Sequence, residues 1–150
     1  YPNDIYYVFC VQEELGCRGS KTAAERIQPD IGIAVDISPA HDYPCDLTGS
    51  NAIGEGIGIK VADPSVLCDE DVIAVMEQCC RHKDIPFQYE VIDKGGCDAS
   101  SMSLSNFGVR AGGISVVTRY AHCSSSVISK EDAEAGIRLC TSFSKYEFQF

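Results

Sequence analysis

The stretch Asp4-Ile-Tyr-Tyr-Val-Phe-Cys-Val-Gln-Glu-Glu-Leu-Gly16 decides how the chain is read. Residues 5–11 are an unbroken apolar run of β-branched, aromatic and thiol side chains. A run without alternation predicts a strand buried on both faces, as in a parallel sheet covered by helices. It ends abruptly in Gln12, Glu13 and Glu14, with Gly16 and Gly19 close behind. Two adjacent carboxylates at the mouth of a buried strand are costly unless something positive meets them. In open α/β sheets the carboxyl end of a strand is also where ligands bind.

The same pattern recurs twice. Ile31-Gly-Ile-Ala-Val35 ends on Asp36, and Gly113-Ile-Ser-Val-Val117 is followed by Arg119, Tyr120 and His122. Three predicted core strands thus each deliver an ionisable residue near one edge of the sheet. Carboxylate plus imidazole is a ligand set suited to zinc, cobalt or manganese. Each residue alone has an ordinary explanation, since acids often begin loops and a single His is more often structural. On the pattern alone both explanations stay open.

Outward from these strands, helices and strands alternate. Thr22-Ala-Ala-Glu25 has capping-box spacing and predicts a short helix ended by Pro29. Residues 38–58, rich in Pro, Gly, Ser and Asp, predict a long loop of the functional or mobile kind. Gly54-Glu-Gly-Ile-Gly58 precedes a strand-like run at 57–61 rather than a helix, so it is no phosphate cradle. Acids at Asp69, Glu70 and Asp71 open an amphipathic helix through Val72, Val75, Met76 and Cys79 to about His82. Residues 87–92 alternate as a strand, and Lys94-Gly-Gly-Cys-Asp-Ala99 turns into a short helix. Ser129-Lys-Glu-Asp132 caps a last helix with Ala133, Ile137, Cys140 and Phe143 or Ser144 along one face. His41 and His82 are expected at the surface. The fold class is α/β, a three-layer αβα arrangement around a mostly parallel mixed sheet.

At 150 residues the chain suits a single domain. It starts at Tyr1 rather than Met, almost at once in a strand, which suggests a piece of a longer protein. The formal net charge of −10 argues against partners that are nucleic acids or anionic membrane surfaces. Nine cysteines, an odd number that includes adjacent Cys79 and Cys80 and no Cys-x-x-Cys spacing, argue against a disulfide framework. A reduced, cytoplasmic compartment fits better. No stretch has the length of a transmembrane helix.

Val11-Gln-Glu-Glu-Leu-Gly-Cys-Arg-Gly19, Ala34-Val-Asp36, Gly95-Gly-Cys-Asp-Ala99 and Arg119-Tyr-Ala-His122 together resemble the M42 family of metallo-aminopeptidases, the group of the glutamyl and tetrahedral aminopeptidases. The order and spacing of these blocks match across nearly the whole chain. The resemblance implies a zinc-dependent exopeptidase-like fold truncated at its N-terminus. It implies two divalent metal ions, zinc or cobalt or manganese, in the full-length protein. Glu13 matches the general base, Glu14 and His122 the ligands of one metal, and Asp36 a ligand of the other. Asp98 is a candidate substrate-pocket residue, with an N-cap of the short helix as its structural alternative. The family's bridging aspartate, its remaining histidine ligand and its inserted assembly domain have no counterpart here. The chain therefore corresponds to the C-terminal part of a catalytic domain, inactive alone, whose full-length form is a homo-oligomer acting on peptides. Cys97 stands where the family usually has Thr, and Cys123-Ser-Ser-Ser126 replaces a usual Ser-Pro.

Peptide hydrolysis suits this set, because a divalent cation acidifies water to a pKa of about 7 and a carboxylate can take the proton. Consecutive side chains on extended backbone point opposite ways, which would divide the work between Glu13 and Glu14. Three rivals are weaker. A thiol hydrolase on His122 and Cys123 would need neighbours on a strand to face each other. A non-catalytic scaffold module would have no reason to keep all four chemical residues. Carbohydrate hydrolysis by paired carboxylates leaves His122 unexplained.

Overall fold

The structure, a computed structural model, describes residues 1–148. In chain order it contains α1 (Arg18–Ile27), β1 (Ile31–Pro39), β2 (Ile57–Asp63), β3 (Val66–Leu67), α2 (Glu70–His82), β4 (Phe87–Val91), α3 (Asp98–Ser103), β5 (Arg110–Arg119), β6 (Val127–Ile128) and α4 (Lys130–Phe143). The six strands form one mixed sheet along the path β1-β5-β2-β3, with β4 on β2 and β6 on β5. Its two long pairings are parallel. Ile31 to Pro39 lie opposite Arg110 to Thr118, and β2 runs alongside β4. The antiparallel pairings of β2 with β5, β2 with β3 and β5 with β6 are short.

Alternation along the strands divides the side chains between two helical layers. On one face Ala34, Val66, Cys68 and Ala111 pack against Cys97 and Ala99 at the start of α3, over which α1 lies. On the other, Ile57, Ile59 and Ile114 meet Val72, Met76, Cys79 and Cys80 of α2 and Leu139 and Phe143 of α4. Each fully buried large side chain there contributes about 1.5–3 kcal/mol. The αβα layering matches the expectation from sequence.

Three local expectations fail, each for a physical reason. Residues 5–11 form no strand, with Tyr7 80% and Phe9 96% exposed. Among the described residues no strand pairs with this run, and an apolar sequence cannot be a buried strand without paired neighbours. The first helix starts at Arg18, four residues before Thr22, whose hydroxyl instead donates to the Arg18 and Gly19 carbonyls within the helix. Along α4 the buried residues are Asp132, Ala135, Gly136, Leu139 and Phe143, while Ala133, Ile137, Cys140 and Ser144 share one face, as expected, and line an open apolar groove with Tyr1, Tyr7, Val35 and Val116. This follows because α4 packs on β5 and β2, leaving Val35 and Ile37 of β1 uncovered. His41 is not a surface imidazole: its ring lies under Gly49, with both nitrogens shielded from solvent.

The long loop is tied to the last helix. Ser129 caps α4, its Oγ accepting from the Asp132 N–H at 3.2 Å. Asp132, almost fully buried, accepts from the Gly54 N–H at 2.7 Å and the Gly56 N–H at 3.0 Å. We expect Asp132→Ala to cost about 2–3 kcal/mol, because it strands two backbone donors from a charged acceptor. Ser129→Ala should cost about 1 kcal/mol as a lost cap. Denaturant unfolding of both variants checks the order; equal losses would refute the anchoring role of Asp132.

Candidate active site

The Gln-Glu-Glu block sits in a turn and not on a strand. Gln12 adopts a left-handed φ of 58°, and the Gly16 and Cys17 N–H groups both donate to the Glu13 carbonyl, at 2.9 and 2.8 Å. The Gly19 N–H then donates to the Val11 carbonyl at 3.0 Å, pressing the first turn of α1 onto the end of the extended run. A Cβ on Gly19 would lie 2.6 Å from the Val11 backbone, so only glycine permits this approach. The two glutamates therefore diverge through a turn, where alternation on extended backbone had been expected. Glu13 Oε1 accepts from the Cys17 thiol at 3.5 Å, and Glu14 Oε1 lies 3.2 Å from His122 Nε2.

Asp36 lies late in β1, and its Oδ1 accepts from the Ile37 N–H at 2.7 Å. His122 follows the end of β5, which is parallel to β1, so the pairing brings Asp36 and His122 to the same edge. The turn that aims His122 is strained, with Tyr120 and His122 both at φ 61°. Such residues cost about 1–3 kcal/mol and persist only when their surroundings hold them. Here Arg119 grips Asp42 through two hydrogen bonds of 2.8 and 2.7 Å, and Tyr43 Oη accepts from the Tyr120 N–H. Asp98 is the first residue of α3, and the helix cap is Cys97, without a side-chain bond. The Asp98 carboxylate instead takes a hydrogen bond from Ser20 of α1, so the N-cap alternative does not describe it.

The sequence-predicted residues thus gather at one place. Burial pushes the Glu13 carboxyl above its usual range; the Cys17 thiol partly offsets this, and Asp36, Asp98 and Glu14 add to it. Burial likewise raises Asp36, opposed by the Ile37 N–H and by Lys60 and assisted by Asp98 and Glu14. Glu14 and His122 remain open to solvent, each 72% exposed. Their 3.2 Å separation is close to the edge spanned by two donors held about 2.0–2.2 Å from a zinc ion. Carboxylate and imidazole in this arrangement fit a divalent cation, with Asp36 and Glu13 acting electrostatically on the same space.

Sequence reasoning missed Lys60. It is buried on β2 in an ion pair with Glu90 and lies 3.3 Å from Asp63. Burial works against its ammonium, but Glu90 and Asp63 outweigh that and hold its pKa above the usual value. The signal was available, as a lone lysine inside Ile57-Gly-Ile-Lys-Val61 cannot be buried without a partner. The thiols of Cys10 and Cys17, given no role from the sequence, lie near Asp98, and Cys17 also bonds Glu13. Burial pushes each up to about 11, so neither is a thiolate nucleophile at neutral pH.

Because Glu13 and Asp36 bind protons more tightly folded than unfolded, their contribution favours folding in acid and is lost as pH rises through their raised folded values. Asp36→Asn keeps an acceptor for the Ile37 N–H and removes one of the clustered charges. It should stabilise this chain at neutral pH by less than about 1 kcal/mol, given the open site. The gain should vanish below the ordinary carboxylate range. Thermal unfolding at two pH values tests this, and a loss of stability at both would show that neither burial of the Asp36 charge nor its repulsion governs the site.

A model of the M42 glutamyl aminopeptidase family matches residues 1–139. An aminopeptidase-named protein of Acetivibrio thermocellus is 41% identical over 137 residues, covering 91% of this chain and 42% of its own length. The solved aminopeptidase APDkam598 of the archaeon Desulfurococcus kamchatkensis superposes with a TM-score of 0.84 at 33% identity, covering 89% of this chain and 39% of that one. The TET1 peptidase of Pyrococcus horikoshii, described as assembling into a tetrahedron or a large octahedral shell, gives 0.76 at 26% identity, covering 89% and 38%. The chain spans about 40% of the length of these relatives. With a family match over most of its length and the same fold in solved aminopeptidases, the chain belongs to the M42 glutamyl aminopeptidase family.

Proposed function

We propose that this chain is the C-terminal part of the catalytic domain of a metal-dependent aminopeptidase, which removes single residues from the free N-termini of peptides. The observation that carries this reading is the Glu14–His122 contact at the edge of the β1–β5 pair, with Glu13 next to it in the same turn and bonded to the Cys17 thiol. Glu14 and His122 would hold one ion and Asp36 would serve a second. Two divalent cations held there, zinc or cobalt or manganese, would supply an acidified water and polarisation of the scissile carbonyl. Glu13 takes the proton of the attacking water and hands it to the departing amine nitrogen as the C–N bond breaks. Its raised carboxyl suits both transfers. Asp98, held by Ser20, lends further negative charge to the pocket, which favours the cationic amino terminus of a peptide over a blocked one.

Glu14 and His122 supply two protein ligands to one ion and Asp36 one to the other, whereas catalytic zinc sites usually have three. The remaining ligands would come from the rest of a protein as long as its relatives. Exposed Tyr6, Tyr7, Phe9, Val35 and Ile37 support burial of this surface in that protein and its homo-oligomer, in keeping with the assemblies described for the TET1 peptidase. All nine thiols are free, which supports a cytoplasmic location. Among the described residues no helix is long and apolar enough to cross a membrane.

The complete protein, supplied with zinc, cobalt or manganese, should cleave aminoacyl-anilides and leave N-acetylated peptides intact. Equal turnover of acetylated substrates would sink the exopeptidase assignment. Glu13→Gln should keep its metal and lose turnover by roughly a hundredfold or more. Glu14→Gln should lose metal at one site, and metal analysis separates the two. A metal-poor Glu13→Gln would exchange their roles. The 150-residue chain alone should show no peptidase activity and no pair of tight zinc sites by calorimetry with its thiols blocked. Two such sites would mean that the ligand set is already complete.

A further inference from the structure

The turn that carries His122 is held from the loop that leaves β1. Asp42 stands in that loop, six positions after Asp36. Its carboxylate accepts three hydrogen bonds: from Arg119 Nε at 2.8 Å, from Arg119 Nη2 at 2.7 Å and from the Ile53 N–H at 3.1 Å. Two parallel bonds from a planar guanidinium fix orientation as well as distance. The clamp is only partly open to water, with the Asp42 side chain 20% and that of Arg119 36% exposed. The loop is seated before it reaches the clamp, since the Ala40 N–H donates to the Thr118 carbonyl at 2.9 Å and the His41 N–H to the Asn51 carbonyl at 2.7 Å.

Arg119 is the last residue of β5, and His122 follows it by three. Between them the backbone enters a conformation that side chains disfavour, with Tyr120 and His122 both at φ 61°. Tyr43, next to Asp42 in the chain, accepts from the Tyr120 N–H at 3.4 Å and meets the Tyr120 ring edge to face at 5.1 Å. His122 itself is 72% exposed, so packing does little to set where its ring points. The backbone of the turn sets it, and two adjacent loop residues hold that turn.

We propose that Asp42 is the positioning residue of His122. By clamping Arg119 it keeps the strained turn in the form that brings the imidazole to Glu14, and through the Ile53 N–H it ties that form to the 42–53 loop. The inference rests on the reading of Glu14 and His122 as ligands of one ion; Asp42 acts through Arg119 and ligates nothing itself. Linkage is reciprocal, so an ion bound at Glu14 and His122 also tightens the clamp and slows hydrogen exchange of the Ile53 amide.

The probe is zinc, titrated into the complete protein against a chelating dye. Asp42→Ala should weaken one site by about ten- to a hundredfold, the usual effect of losing a group that orients a ligand. Asp42→Asn, which keeps one acceptor, should fall between the two. In a His122→Asn background Asp42→Ala should cost no further affinity, because no imidazole is left to aim. Asp46→Asn, a charge removed from the same loop, should leave affinity unchanged. Unaltered affinity in Asp42→Ala, equal losses for the Asn and Ala variants, or a loss that persists in the His122→Asn background would overturn the positioning role; the last two would mean that the Asp42 charge acts through space. Should Asp42→Ala not fold, amide exchange in the unsubstituted protein carries the test, and an Ile53 amide that zinc does not slow overturns it. Failure of the peptidase assignment looks different: the complete protein binds zinc and responds to Asp42→Ala as stated, yet cleaves no aminoacyl-anilide.

Discussion

The parallel pairing of β1 with β5 is the constraint on which the rest depends. It runs in register from Ile31 opposite Arg110 to Pro39 opposite Thr118. Because side chains alternate with a period of two, a slip by one residue would turn Asp36 from the α3 side to the α2 and α4 side. It would also pull Ala34 and Ala111 from the close packing that lets α3 approach the sheet. The register is pinned by side chains of opposite size on the two faces: small ones toward α3, Ile33 and Ile114 toward α2. Parallel strands end at the same edge, so the register that builds the core also brings Asp36 and the turn carrying His122 together.

That convergence has an electrostatic cost that the protein meets unevenly. Within the sheet, Lys60 is surrounded by Glu90 and Asp63, so a buried cation is matched by two buried anions. At the edge above, Asp36, Asp98 and Glu14 each push the Glu13 carboxyl up, and Lys60 partly relieves Asp36. Burial first, and that imbalance second, raise the carboxyls of Glu13 and Asp36. Perturbed groups of this kind concentrate at functional sites, where stability is given up for a charge that a ligand or ion will later match.

The left-handed residues around the edge follow the same logic. Gln12, Cys17, Tyr120 and His122 all lie at positive φ beside the gathered side chains. They are held by contacts outside the cluster: Gly19 against Val11 on one side, Arg119 on Asp42 on the other. Strain placed in the connections leaves the strands regular while aiming side chains that no regular strand could aim together.

Much of this was legible in the amino-acid sequence. The apolar runs before Asp36 and before Arg119, the acids opening α2 and the Ser129 cap each encode local structure through side-chain chemistry within a few residues. The same runs predicted the αβα layering, and the motif blocks singled out Glu13, Glu14, Asp36, Asp98 and His122 as residues to watch. Only the tertiary structure decided how they meet. Residues 5–11 have every property of a core strand, yet a strand is made by its neighbours, and none of the described strands adjoins them. Glu13 and Glu14 part through a turn set by Gln12 and Gly19, a close approach between backbones that no spacing rule announces. Glu13, Cys17 and Asp98 stand up to 85 positions apart in the chain and meet where α1 packs on α3. Local propensity acts over a few residues, whereas distance between remote side chains is set by packing, and packing belongs to the whole fold.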